Sequence, residues 1–319
     1  MKRIGFILLF IICFVEVADA QSFYSRRRDR TWMFSFGLGV SSYHGDLHDV
    51  FYDGLGSAVG GNIGVGLRKK LGTQMSLRLD LNYYQISGDD AASGIFDGKD
   101  PDQRGGPREG QRDTRYLRNL SFQASNLEAS LLFTFNLIPV NGSYTRRPVI
   151  NPYIFFGLGI TSNNPKGDHP VEGVINLRHL NTEALPGNGY SGMLMAVPVG
   201  LGVRLKANQY IDILLEAGRR FLFNDYLDDV STEYPSLDEL RAAGRIGDIR
   251  LAEIFYDRAT EGVGLDGVTP LVARAPGDDR GNPAKNDAYY LFQIRLELYL
   301  PDNFIQQLFS PSRRKPKFR

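Results

Sequence analysis

The clearest pattern along the chain is an alternation of apolar and polar residues close to its C-terminal end. From Tyr290 to Leu300 every second residue is apolar, and Gln293, Arg295 and Glu297 lie between them. A period of two predicts a β-strand with one apolar and one polar face. Seven earlier stretches alternate in the same way, so the predicted strands are 31–43, 58–70, 74–86, 121–137, 151–162, 193–206, 209–221 and 288–300.

The connections between the predicted strands alternate in length. They are a few residues long after the second and sixth strands, and long and polar after the first, third, fifth and seventh. This predicts an all-β protein, an eight-stranded antiparallel transmembrane β-barrel with short periplasmic turns and long extracellular loops. The alternative is a soluble sandwich or a lipocalin-like cup. The connection 138–150 is an exception, because it is longer than a periplasmic turn usually is.

The N-terminal segment predicts export. Lys2 and Arg3 precede an apolar run, and Ala18-Asp19-Ala20 gives the small-x-small pattern of a signal peptidase site. We therefore predict a signal peptide at 1–20, a periplasmic lead-in at 21–30, the barrel at 31–301 and a basic periplasmic tail at 302–319. Cys13 lies in the signal peptide, so the mature chain has no cysteine. The predicted location is the outer membrane, with both termini periplasmic and outer-membrane lipid as a partner.

Composition changes this picture little. The formal net charge of +1 gives no support to nucleic-acid binding. No apolar run after Ala20 is long enough for a membrane-spanning helix, which excludes a helical membrane protein.

Four strands share an apolar-Gly-apolar-Gly-apolar unit, at 36–40, 63–67, 156–160 and 199–203. These glycines fall on the polar, inward face, where a small barrel has little volume.

The polar faces of several strands carry charges of both signs. With eight strands the lumen is filled by side chains, so we predict an ion-pair network inside the barrel, and the alternative is an ion path or proton relay. The candidate residues of this network are Arg68, Arg78, Asp80, Glu128, Arg204, Asp212, Glu216, Arg220, Arg295 and Glu297.

The predicted loops hold the remaining candidate chemistry. The run His44-Gly45-Asp46-Leu47-His48-Asp49 is interpreted as a solvated loop tip, with a metal site as the alternative. No serine lies in a hydrolase motif, so we predict neither an enzyme nor a cofactor. Residues 87–118 are expected to be mobile. Residues 223–286 carry thirteen acidic against seven basic residues. They form either a solvated lid or a docking surface.

Two helices are predicted within this last loop. The run Ser236-Leu237-Asp238-Glu239 is a capping box, which predicts a helix to about Ala243. A second helix is predicted over 248–259.

Two motifs give a resemblance to a known family. The run S-Y-H-G-D-L at 42–47 and the run R-R-F-L-F-N-D-Y-L-D-D-V-S at 219–231 resemble the PorG-like outer-membrane barrels, over essentially the whole mature chain. The resemblance implies a structural or anchoring barrel of type IX secretion, with periplasmic secretion-ring proteins as partners. The alternative is a stand-alone surface barrel whose acidic loops bind an external ligand or protein. The candidate motif or docking residues are Gly45, Asp46, Asp225, Tyr226, Asp228 and Asp229.

Asp228 and Asp229 are adjacent carboxylates of the second motif. Two adjacent aspartates without a nearby histidine make a poor transition-metal site, although calcium remains an alternative. We therefore predict that they accept hydrogen bonds which fix the exit of the last loop.

Overall fold

The computed structural model describes residues 30–47, 59–90, 114–141, 143–187, 189–243, 248–262 and 272–301. The predicted signal peptide, most of the lead-in, the basic tail, His48, Asp49 and the segment 91–113 lie outside this described part.

Eight long strands form a closed antiparallel barrel. They are β1 (Trp32–His44), β2 (Val59–Lys70), β3 (Met75–Asp89), β4 (Ser121–Asn136), β5 (Ile150–Ser162), β8 (Met193–Lys206), β9 (Ile211–Leu222) and β10 (Ala288–Tyr299). Neighbours pair in the order β3-β2-β1-β10-β9-β8-β5-β4, and the pairing of β3 with β4 closes the ring. The predicted eight-stranded barrel is confirmed. The largest difference at a strand end is in β3, which continues to Asp89 rather than residue 86.

The two faces of the strands differ as their alternation predicts. Leu158 and Leu201 on the outer face are each 62% exposed, whereas Arg295 and Glu297 on the inner face are fully buried. The inward glycines pack against large side chains. A Cβ on Gly202 would lie 2.7 Å from the Tyr153 hydroxyl, and one on Gly37 would lie 2.7 Å from Arg295 Cγ. Glycine is therefore what leaves room for the arginines and aromatic rings of the interior.

The two ends of the barrel are built differently. At the end we call the turn end lie the connections β2–β3, β4–β5 and β8–β9, the start of β1 and the end of β10. At the opposite end, the loop end, lie the four long connections. The described part of these connections forms a folded layer over the barrel mouth, which we call the cap.

The cap contains short regular elements. They are the hairpin β6 (Pro165–His169) and β7 (Gly173–Asn176), the helices α1 (Thr114–Arg118), α2 (Leu237–Ala243) and α3 (Ile249–Phe255), and single 3₁₀ turns at Leu177–His179 and Ala259–Glu261. The hairpin and α1 were not expected from the sequence. The helix predicted from the capping box is confirmed, since Ser236 N–H donates to Glu239 Oε2 at 2.9 Å and Glu239 N–H donates to Ser236 Oγ at 3.3 Å.

The cap has its own apolar core, continuous with the loop end of the barrel. Leu47, Leu227, Leu240 and Phe255 are each at most 2% exposed and belong to one cluster. The interpretation of the run 44–49 as a solvated loop tip was wrong for its described part, 44–47, because His44 and Leu47 are buried there. The last long connection, residues 223–286, is called loop four below. Its described part is packed against the barrel and is not a solvated lid, because its apolar side chains complete this core.

Among the described residues, no helix has the length and apolar character needed to cross a membrane.

Candidate functional site: the barrel interior and the cap

The ten charged residues predicted for the interior all lie inside the barrel, and none is more than 7% exposed. They comprise five arginines and five carboxylates, so their formal charges cancel. Buried ions of opposite sign need one another, because an unpaired charge in a barrel of this size would lose its hydration without compensation. The arrangement can therefore hold the strands in place through ion pairs between them.

Four ion pairs link four residues in a closed ring across the middle of the barrel. Arg295 Nη1 lies 3.1 Å from Asp80 Oδ2, and Arg78 Nη2 lies 2.9 Å from the same oxygen. Arg78 Nη2 also donates to Glu216 Oε2 at 3.1 Å, and Arg295 Nη1 lies 3.6 Å from that oxygen. These four residues come from β3, β9 and β10, so the pairs join strands on different sides of the ring.

Further pairs lie towards each end of the barrel. Near the turn end, Arg68 Nε donates to Glu297 Oε2 at 2.8 Å, and Arg204 Nε lies 3.3 Å from Glu297 Oε1. Near the loop end, Arg220 Nε donates to Glu128 Oε2 at 3.2 Å. An apolar cluster of Leu132, Tyr153, Phe155 and Leu214 fills space between the polar groups.

Arg147 closes the turn end. Its Nε and Nη2 atoms donate to Asp212 Oδ1 at 2.9 and 2.6 Å, and Nη2 also donates to the carbonyl oxygen of Asn208 at 2.7 Å. The guanidinium carbon lies 4.4 Å from the centroid of the Tyr299 ring. The connection 138–150 was too long for a plain turn, and the structure gives a physical reason. It folds back over the mouth and supplies Arg147.

A small cavity remains beside this closure. It has a volume of about 20 Å³ and is lined by Arg68, Asn136, Tyr144, Arg204 and Tyr299, among others. That volume corresponds to about one water molecule.

The two sequence motifs meet in the cap. The hydroxyl oxygen of Tyr43, from the first motif, lies within hydrogen-bond distance of both Asp228 Oδ2, at 2.5 Å, and Asp287 Oδ1, at 2.7 Å. The backbone N–H of Leu227 donates to Asp287 Oδ2 at 2.8 Å, and that of Val230 donates to Asp228 Oδ1 at 2.9 Å. Asp228 thus accepts hydrogen bonds that fix the exit of loop four.

Asp229 lies in a second polar cluster of the cap. It accepts hydrogen bonds from the hydroxyls of Thr182 at 2.6 Å and Tyr190 at 2.7 Å, and it also pairs with Arg280, whose Nη2 lies 3.5 Å away. Arg280 Nη1 donates to Glu183 Oε1 at 2.9 Å. Burial raises the pKa of Asp229 to about 6, although Arg280 opposes that shift. The backbone of Asp229 is left-handed, with φ of 73°, a conformation that is uncommon for a residue other than glycine.

Asp225 is the least compensated carboxylate of the motif. Neither of its oxygens has a hydrogen-bond partner of good geometry among the described residues. Burial, followed by the charges of Asp46 and Asp228, raises its pKa to about 9, and the nearby Ser231 hydroxyl offsets this only in part. Asp46 Oδ2 accepts a hydrogen bond from the backbone of Asn282 at 3.0 Å.

The other two motif residues are also packed within the cap. A Cβ on Gly45 would collide with Asp287 and the Tyr43 hydroxyl, so the close approach requires glycine. Tyr226 stacks on Tyr190 with ring centroids 4.9 Å apart, and its hydroxyl donates to Glu183 at 3.1 Å. The motif therefore joins the loops to one another.

The sequence did not reveal several partners of these clusters. Glu183, Arg280 and Asp287 are buried, although each stands in a polar loop with no periodic pattern around it. The charges predicted for the interior already balanced, five positive and five negative. Nothing in the strand pattern therefore indicated that Arg147 is buried beside them. Only the position of Asp287, directly before the strongest predicted strand, offered a signal.

The described residues show no constellation for metal binding. No group of three or more His, Cys, Asp or Glu among them is placed to hold an ion. His169 Nε2 lies 3.9 Å from Glu261 Oε1 on the cap.

The chain is similar to three solved structures, each at low sequence identity. Neisserial surface protein A is 8% identical, with a TM-score of 0.34, and the match covers 85% of this chain and 98% of that one. Ail, the attachment invasion locus protein of Yersinia pestis, is 7% identical with a TM-score of 0.36 and coverage of 85% and 98%. The outer membrane enzyme PagL is 10% identical with a TM-score of 0.32 and coverage of 84% and 99%.

No family model and no curated protein sequence matches the chain. The resemblance to the PorG-like barrels thus stays a prediction, and the assignment as a barrel rests on the strand pairing itself.

Proposed function

We propose that the chain is an integral outer-membrane β-barrel that acts as a non-enzymatic structural or anchoring component. The observation that supports this is the contrast between the two faces of the barrel. Its outer face is a belt of exposed apolar side chains, which water would not tolerate over so large an area, whereas the paired charges are inside. Lipid is the solvent that matches such a surface.

The finer role follows from how the ends are closed. Arg147 fills the turn end and the cap covers the loop end. The described barrel is therefore a filled structural element rather than a channel. On the resemblance to PorG-like barrels, its partners are periplasmic secretion-ring proteins that meet the turn end. The basic residues of the lead-in and of the tail would add electrostatic attraction at that side.

A second candidate is a stand-alone surface barrel whose cap binds an external ligand or protein. The observation in its favour is that the described part of the cap is folded around its own core, which gives it a defined outer surface.

Partner recovery from intact cells separates the two candidates. We expect deletion of residues 312–319 to leave the barrel folded and to reduce crosslinked periplasmic partners, more so at low salt, because high salt already screens the attraction that the tail supplies. Trimming loop four would remove core residues, so the matched change on the cap is Val171→Glu with Val272→Glu, which are 82% and 85% exposed. Loss of partners in the cap variant alone would favour the surface barrel. A protein that fractionates as soluble without detergent would refute both.

A further inference from the structure

One arginine of β9 lies on the outer surface of the barrel, away from the interior ion pairs. Gly218 and Arg220 face inward, so the alternation of the strand places Arg219 on the outer face. It lies opposite Tyr290 of β10 and Val199 of β8. Away from the strand ends, Arg219 is the one Asp, Glu, Lys or Arg that the described barrel strands place on that face.

Two aromatic rings lie close to the Arg219 guanidinium. Its central carbon lies 4.7 Å from the ring centroid of Phe221 and 5.6 Å from that of Tyr290. Such contacts stabilise a cation at a site where water is scarce. The Nε atom is enclosed and has no hydrogen-bond partner, and no carboxylate of the described residues pairs with this side chain. The guanidinium therefore retains capacity to bind an anion.

The position of Arg219 indicates where that anion would lie. β9 ends at Leu222, so Arg219 is about 10 Å along the strand from the loop end at roughly 3.3 Å per residue. In the proposed orientation the loop end faces outwards. Because barrel strands tilt by about 35–45°, this corresponds to a depth of about 8 Å below the loop end. With the loop end at the membrane surface, Arg219 lies near the boundary between headgroups and acyl chains of the outer leaflet, where aromatic residues and long cationic side chains concentrate.

We propose that Arg219 binds a phosphate of a phosphorylated glycolipid of the lipid A type in the outer leaflet. A guanidinium binds phosphate through two parallel hydrogen bonds, and Phe221 and Tyr290 hold it facing the headgroups. The choice of a glycolipid over a phospholipid follows from the leaflet. This inference rests on the proposed membrane location and goes beyond it by naming a lipid and a residue.

The test is native mass spectrometry of the purified full-length protein in detergent. Diphosphoryl lipid A, its dephosphorylated form with the same acyl chains, and phosphatidylglycerol are each titrated against wild type, Arg219→Gln and Lys69→Gln. Lys69 is the matched control, because it is an outer-surface cation at the turn end that contacts Trp32 at 4.6 Å. Folding of each variant is checked by its heat-dependent gel mobility.

We expect Arg219→Gln to weaken binding of diphosphoryl lipid A about tenfold, the loss of a charge-assisted bidentate contact, and Lys69→Gln to leave it unchanged. Arg219→Lys should fall between wild type and the glutamine variant. Unchanged binding by a folded Arg219→Gln variant, or equal binding of the dephosphorylated lipid, would overturn the proposal. Equal binding of phosphatidylglycerol would overturn the choice of glycolipid.

These outcomes are separable from failure of the proposed function. A wild-type protein that is absent from the membrane fraction would remove the membrane assignment itself. A wild-type protein that inserts normally but shows no dependence on Arg219 would remove this inference alone.

Discussion

Asp225 and Asp229 are buried carboxylates of the cap whose pKa values, about 9 and about 6, lie above the ordinary range of an aspartate. Burial is the first cause in both. A raised pKa means that the folded cap binds more protons than the unfolded one. The stability that this contributes is fully present below the unfolded pKa of about 4, and it is lost as the pH rises through the folded values.

We therefore expect the cap to loosen as the pH rises from about 5 to about 9. Asp225→Asn should reduce the upper part of this dependence, since the amide cannot ionise. It should not abolish it, because burial also raises the pKa of Asp228 and of Asp287 well above the ordinary value. Hydrogen exchange of the Leu227 and Val230 amides, measured at about pH 5 and at about pH 9 and corrected for the intrinsic rate, reports how far the cap loosens. Asp238→Asn is the control, because Asp238 is exposed on α2. Equal exchange at both pH values in wild type would contradict the prediction.

Arg147 carries a second prediction at this scale. Arg147→Ala would leave the fully buried Asp212 without its closest cation and should lower the free energy of unfolding by about 3 kcal/mol. Arg146→Ala is the neighbouring control, because Arg146 is exposed. Urea unfolding in detergent measures both. A similar small loss in the two variants would show that the closure of the turn end adds little stability.

Among the elements, the barrel strands were predictable from the sequence and the small elements of the cap were not. Alternation over a dozen residues identifies a strand and its inward face without any knowledge of its neighbours, which is why the ten charges predicted from the strands all lie in the interior. The hairpin β6–β7 has only short strands, and Arg280 owes its burial to contacts distant in sequence. A local sequence pattern cannot indicate contacts between residues that are distant in the chain.

The inward glycines of β1 lead to a prediction at the scale of the strand. A Cβ at Gly39 would collide with the backbone carbonyl of Phe292 on β10, whereas one at Gly61 on β2 would meet nothing within 4 Å. Gly39→Ala should therefore destabilise the barrel by about 1–3 kcal/mol, and Gly61→Ala should be close to neutral. Thermal loss of the heat-resistant gel band compares them, and equal midpoints would argue against the β1–β10 register.

At the scale of the whole molecule, polarity is arranged in reverse of a water-soluble protein. Paired arginines and carboxylates lie inside the barrel, Arg147 and the cap close its two ends, and a belt of exposed apolar side chains covers the outside. Each feature depends on the others, because charges can be buried in so narrow a barrel only where strands on opposite sides supply partners.

Ile294 lies midway along β10 and is 61% exposed on the outer face. If that face meets lipid, Ile294→Arg places a charge near the middle of the bilayer, at a cost of about 2–4 kcal/mol. The same change at Leu71, which is 46% exposed in the β2–β3 connection at the turn end, should cost little. We expect refolding into lipid vesicles to give less heat-modifiable barrel for Ile294→Arg than for Leu71→Arg, at equal protein and lipid concentrations. If the outer face instead met water or another protein subunit in aqueous solution, Ile294→Arg would leave the yield unchanged or improve solubility, and the membrane assignment would have to be abandoned.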